Sequence, residues 1–162
     1  MIVLYWNIRG INNGKSQEAL KNHCSNHKPD YLFLSEPLVD FHKIPSYFWA
    51  SIGMQLVTTN SRPNKIPSLW IFKSLNSLSV SIISISCQHV TFTTQQNNNP
   101  ITISAIYAHN DHRNRRIMWE ELTSIRNNSH LPWLVIGDFN CILGAHEKRG
   151  GKPHRATSCV EF

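Results

Sequence analysis

The stretch "WLVIGDFN" (133–140) runs apolar for four residues and then stops at Gly137, Asp138, Phe139 and Asn140. A buried strand that delivers a carboxylate and an amide at its end is either turning a corner or building a site. The pattern recurs: "IVLYWNI" (2–8) carries Asn7, "YLFLSE" (31–36) ends in Glu36 and "ITISAIY" (101–107) ends in Tyr107. Short runs of β-branched, aromatic and aliphatic residues bounded by turn formers read as buried strands. A single polar residue at a strand end is usually a turn former or a cap. Four strands that each deliver one are harder to dismiss.

Among the ten acidic residues, Glu36 and Asp138 are the carboxylates in such contexts. Brought to roughly 5 Å, they would repel by about 3 kcal/mol at an effective dielectric of 20. A hard divalent cation removes that penalty, because Mg²⁺ binds through one or two carboxylates and keeps positions for water and phosphate. Gly137 allows close backbone approach beside the acid.

The other segments fill in a mixed α/β order. "KSQEALKNHCSNHKPD" (15–30) places Ala19, Leu20 and Cys24 at helical spacing, with Ser16 as a candidate N-cap and Pro29 as a stop. "QLVTTN", "SLWIFK", "VSIISIS", "HVTFTT" and "ITISAIY" follow as a meander of antiparallel strands, separated in places by turn-prone "SRPNKIP" and "QQNNNP". "RIMWEELTSIR" then puts Met118, Leu122 and Ile125 on one helical face, with Asn110 or Asp111 as its cap. No internal repeat interrupts this order. It predicts helices covering sheets in a layered α/β fold.

With 162 residues, 41% hydrophobic and 16% charged, the chain has material for one globular domain with a real core. Its net charge of +6 attracts polyanions and adds a salt-dependent term to nucleic-acid binding. The basic residues cluster in "HRNRR" (112–116) and "HEKRGGKPHR" (146–155), for which solvated loops are the plain alternative. Cys24, Cys87, Cys141 and Cys159 show no C-x-x-C pair, which argues for reduced thiols against a zinc ribbon or a thioredoxin motif. No leader pattern follows Met1 and no run spans a bilayer, so the expected location is intracellular, with no membrane partner.

In order and spacing, "YWNIRG", "HKPDYLFLSE", "IYAHND" and "WLVIGDFNCIL…EKRGGKP" resemble the endonuclease/exonuclease/phosphatase family. The likeness is greatest to the endonuclease domain of plant LINE-type (non-LTR) retrotransposon polyproteins. It implies a four-layered α/β sandwich, two mixed and largely antiparallel sheets face to face with helices outside, and a Mg²⁺-dependent phosphodiesterase site at one rim. Carried over by residue, Glu36 matches the metal-binding glutamate and Asn7 the asparagine beside the metal. Tyr107 matches the tyrosine near the scissile phosphate, Asp138 the aspartate that positions the attacking water, and Asn140 the amide that supports the phosphate. Mg²⁺ is the implied cofactor, with Mn²⁺ able to replace it.

The resemblance also implies DNA as partner, a reverse transcriptase on the same polyprotein, a nuclear site of action and a monomeric domain. Arg113, Arg115, Arg116, Lys148, Arg149 and Lys152 are the expected nucleic-acid contacts. The sequence lacks a match to the family's second catalytic aspartate and to its terminal Ser-Asp-His motif, so 1–162 is expected to be the N-terminal portion of the domain, with impaired nicking. The alternatives are a non-catalytic retroelement relic or nucleic-acid-binding fragment, and a phosphatase or phosphodiesterase of the same superfamily. A zinc enzyme ranks below these, since His109, His112, His146 and His154 lack a regular ligand spacing.

Overall fold

The structure, a computed structural model, describes residues 1–142 and Gly150. Lys148, Arg149, Lys152 and Cys159 lie outside the described residues. The chain forms two compact units, one of residues 1–107 with 131–138, the other of 108–130 with the described residues from 139 onward.

The first unit is an α/β sandwich of two four-stranded mixed sheets. One sheet has the order β1 (Val3–Asn7), β2 (Tyr31–Ser35), β4 (Leu69–Ser74), β3 (Met54–Thr59). The other runs β5 (Ser81–Ile85), β6 (His89–Gln96), β7 (Asn99–Tyr107), β8 (Trp133–Asp138). The β1–β2 and β7–β8 pairs are parallel and the other pairings antiparallel. The expected single meander is therefore split between β4 and β5, which lie in different sheets.

Alternation along the central strands explains the layering. On β2 and β4, Tyr31, Phe33, Leu69 and Ile71 meet Val90, Phe92, Ile103 and Ala105 of the facing sheet in one core cluster. Leu32, Leu34, Trp70 and Phe72 point the other way, onto α1 (Gly14–His27) and α2 (Ser46–Ser51) through Leu20, Cys24, Phe48 and Trp49. A strand buried on both faces has no polar alternation to show, and "YLFLS" is buried throughout. Trp49 stacks on Phe72 at 4.4 Å between ring centroids, which anchors α2. Neither α2 nor the 3₁₀ turn Phe41–Lys43 shows a helical signal in the sequence; a six-residue helix is too short to develop a repeat.

Helix α1 begins earlier than expected. Asn13, not Ser16, is its N-cap, and the Asn13 side chain accepts from the Ser16 amide at 2.8 Å. Lys28 ends it in the left-handed region, with its N–H on the Cys24 carbonyl. In the second unit, α3 (His112–Asn127) is capped by Asp111 and buries Met118 and Leu122. Among the described residues, Cys24 and Cys87 form no disulfide. Among the described residues no helix is long and apolar enough to cross a membrane.

Candidate active site

Parallel pairing sets the site. In the first sheet Asn7, the last residue of β1, sits opposite Ser35, the last residue of β2, and Glu36 follows. In the second sheet Tyr107 and Asp138, which end β7 and β8, sit opposite each other. Parallel strands carry their carboxyl ends to one edge, where polar groups can leave the sheet without breaking its ladder. The Tyr107–Asp138 register depends on Gly137, since a Cβ there would fall 2.1 Å from the Ile106 carbonyl oxygen.

At this edge the two sheets join through side chains. Asn7 Nδ2 donates to Glu36 Oε1 at 2.9 Å and to Asp138 Oδ2 at 3.2 Å, so one amide draws both carboxylates together. Tyr107 donates its hydroxyl to the same Glu36 Oε1 at 2.9 Å. Burial, then the bond to Glu36 and the charges of Glu36 and Asp138, push the Tyr107 hydroxyl up to about 12, so it stays protonated and remains a donor at neutral pH. Glu36 has a φ of 53°, in the left-handed region, where the chain leaves β2. A non-glycine residue held there is strained, and such strain gathers at functional sites. Its backbone is fixed on both sides, by Glu36 N–H on the Ser68 carbonyl at 2.9 Å and by Gly10 N–H on the Glu36 carbonyl at 2.8 Å.

Asn7 Oδ1 is buried and has no hydrogen-bond partner. A buried acceptor left unpaired beside two carboxylates fits a cation, since the donor set is all oxygen and carries two charges. A half-turn of the Asn7 amide exchanges Oδ1 for Nδ2 and would turn the oxygen toward the carboxylates. The oxygens of Asn7, Glu36 and Asp138 thus have the chemistry to hold a hard divalent cation.

Tyr5 is a further residue at this edge. It lies two residues before Asn7 on β1, hence on the same face, and its hydroxyl donates to the Ile106 carbonyl at 2.7 Å. Two-residue spacing below Asn7 was the available signal.

Asn140 belongs to the second unit. It has a φ of 49°, and its Nδ2 donates to the Ala108 carbonyl at 2.6 Å. The expected basic contacts separate in this unit. Arg113 and Arg116 are exposed. Arg115 is buried, 1% exposed, and its Nη1 donates to the carbonyls of His109, Asn110 and Asn140 at 3.0, 2.9 and 3.1 Å. It holds two loops, so its guanidinium is not displayed for a nucleic acid as expected. Asp111 and His112, an acid–histidine pair by sequence, form the helix cap: Asp111 Oδ1 accepts from the Arg113 N–H at 2.9 Å.

Residues 4–158 match the sequence profile of the Endonuclease/Exonuclease/phosphatase family. The chain belongs to this family. Members of the endonuclease/exonuclease/phosphatase family are hydrolases, nucleases or phosphatases, and solved structures share the fold seen here. The endonuclease domain of TRAS1, a telomere-specific non-LTR retrotransposon, superposes with a TM-score of 0.64 at 14% identity, covering 86% of this chain and 60% of that one. A 3'-5' exonuclease from Neisseria meningitidis gives 0.61 at 18% identity, over 87% and 58%. A mannosyl-6-phosphatase from Bacteroides thetaiotaomicron gives 0.61 at 12% identity, over 86% and 65%. The chain thus spans less than two thirds of the length of these structures. No curated protein matches it.

Proposed function

We propose that this chain carries the metal-binding half of a Mg²⁺-dependent DNA endonuclease of the kind found in LINE-type retroelements. The observation that supports it is the hydrogen-bonded set Asp138–Asn7–Glu36–Tyr107, assembled at the ends of four strands from two sheets. Glu36 and Asn7 are the residues to hold the cation, which when bound polarises phosphoryl oxygens and stabilises the leaving oxygen.

The other steps fall to side chains. Asp138 accepts a proton from water and orients it for in-line attack. Tyr107, protonated at neutral pH, fixes the Glu36 carboxylate by donating to it and borders the phosphate. For Asn140 the family resemblance alone suggests an amide that supports the phosphate. Exposed Arg113 and Arg116 supply sequence-independent attraction to the DNA backbone. The positive net charge favours a polyanion over a small phosphomonoester.

The test is a pair of substrates given to the same protein with Mg²⁺: supercoiled plasmid, and a sugar phosphomonoester. The expected result is slow nicking of the plasmid with no phosphate released from the sugar. Phosphate release without nicking would assign the site to the phosphatase branch of the family.

A further inference from the structure

Among the described residues, the side-chain hydrogen bonds that join the sheets at the site include Asn7 to Asp138, Tyr107 to Glu36 and Tyr5 to Ile106. The first two use groups that the proposed function gives to the cation, the water and the phosphate. The third uses none of them. Tyr5 donates to the main-chain carbonyl of Ile106 at 2.7 Å, two residues behind Asn7 on β1 and one residue behind Tyr107 on β7. The same carbonyl oxygen faces Gly137 so closely that a Cβ would sit 2.1 Å away. It is therefore held from β1 by a hydroxyl and from β8 by backbone contact.

We propose that Tyr5 is a positioning residue that fixes the spacing between Asn7 with Glu36 on one sheet and Tyr107 with Asp138 on the other, and thereby sets the site's affinity for a divalent cation. This rests on the reading of that site as a metal-dependent one. Octahedral Mg²⁺ tolerates little error in oxygen placement, so a tie just behind the ligands matters more than its single hydrogen bond suggests.

The fold supplies its own control. Tyr31 also bonds across the sandwich, its hydroxyl to Thr94 Oγ1 on β6, but it begins β2 opposite Val3, at the far end of the strands from Glu36. Tyr5→Phe and Tyr31→Phe each remove one oxygen from an inter-sheet tie, one beside the site and one remote from it. Mn²⁺ is titrated into wild type and both variants and followed by loss of the free-ion EPR signal, with thermal unfolding and plasmid nicking measured alongside.

Y5F should bind Mn²⁺ roughly tenfold more weakly than wild type. Its kcat should fall while KM for DNA stays put. Y31F should lower the unfolding temperature comparably yet keep wild-type Mn²⁺ affinity and rate. Equal affinities in all three proteins overturn the inference, and so does equal weakening in both variants, which marks a general loosening. Failure of Y5F to fold where Y31F folds overturns it too, because the tie would then serve the fold. A wild type that binds Mn²⁺ more tightly than Y5F yet nicks nothing upholds the role of Tyr5 and sinks the endonuclease reading. A wild type with no Mn²⁺ affinity sinks both.

Discussion

Asn7 Nδ2 lies 3.2 Å from Asp138 Oδ2, although 131 residues of chain separate them, and the same nitrogen reaches Glu36 Oε1 at 2.9 Å. One neutral amide therefore stands between two carboxylates. A cation bound there should stabilise the fold, by about 2.7 kcal/mol when its concentration is 100 times its Kd. Mg²⁺ is expected to raise the unfolding temperature of wild type, and Glu36→Gln or Asn7→Ala should lose most of that increase. Differential scanning fluorimetry across a Mg²⁺ series checks it; an undiminished increase in Glu36→Gln would place the cation elsewhere.

Gly137 should tolerate no side chain. In Gly137→Ala the new Cβ meets the Ile106 carbonyl oxygen at 2.1 Å, with rigid backbone on both sides. β8 must move away from β7, which costs roughly 1–3 kcal/mol or more and shifts Asp138 with it. Urea unfolding should show a clear fall in midpoint, and nicking should fall further than stability explains. A variant with wild-type midpoint would contradict the pairing of Ile106 with Gly137.

Most of the fold and part of the site were legible in the sequence, for separable reasons. Buried strands announce themselves by apolar runs, and "YLFLSE" and "WLVIGDFN" are such runs with functional groups at their ends. Asn7, Glu36, Tyr107 and Asp138 could therefore be selected before their convergence was known. The sheet to which each strand belongs could not be selected, because β4 and β5 look alike as members of a meander and differ only in long-range pairing. Arg115 reads as one more cation in "HRNRR"; three backbone carbonyls 5, 6 and 25 residues away convert it to a structural residue. Tyr5 stayed hidden because a tyrosine inside an apolar strand is ordinary until its hydroxyl finds a partner.

Alkaline pH should destabilise the first unit. Tyr5 and Tyr107 each rise from 10 to about 12 in the folded protein, so the unfolded chain loses these protons first. Their contribution is fully present below pH 10 and is lost as pH rises through about 12. Urea midpoints measured across this range should be flat and then fall, and Tyr107→Phe should lessen the fall. A midpoint independent of pH there would show that the two hydroxyls are solvated.

The arginines of α3 should divide by burial. Arg113→Ala and Arg116→Ala are each expected to reduce the slope of log affinity for duplex DNA against log salt by about 1 without affecting stability. Arg115→Met should leave the slope unchanged and cost about 3 kcal/mol, since it leaves buried carbonyls unpaired. Fluorescence anisotropy in a salt series with parallel urea melts separates the two effects. A slope lowered by Arg115→Met alone would reverse the assignment.

The most direct measurement is conversion of supercoiled plasmid to nicked circle by residues 1–162, with Mg²⁺ and with EDTA, for wild type, Glu36→Gln and Asp138→Asn. The account expects slow nicking by wild type that needs Mg²⁺ and falls by about 10² or more in either variant. Absence of Mg²⁺-dependent nicking above background, or nicking that persists in both variants, would contradict the claim that these strand-end residues form a phosphodiesterase site.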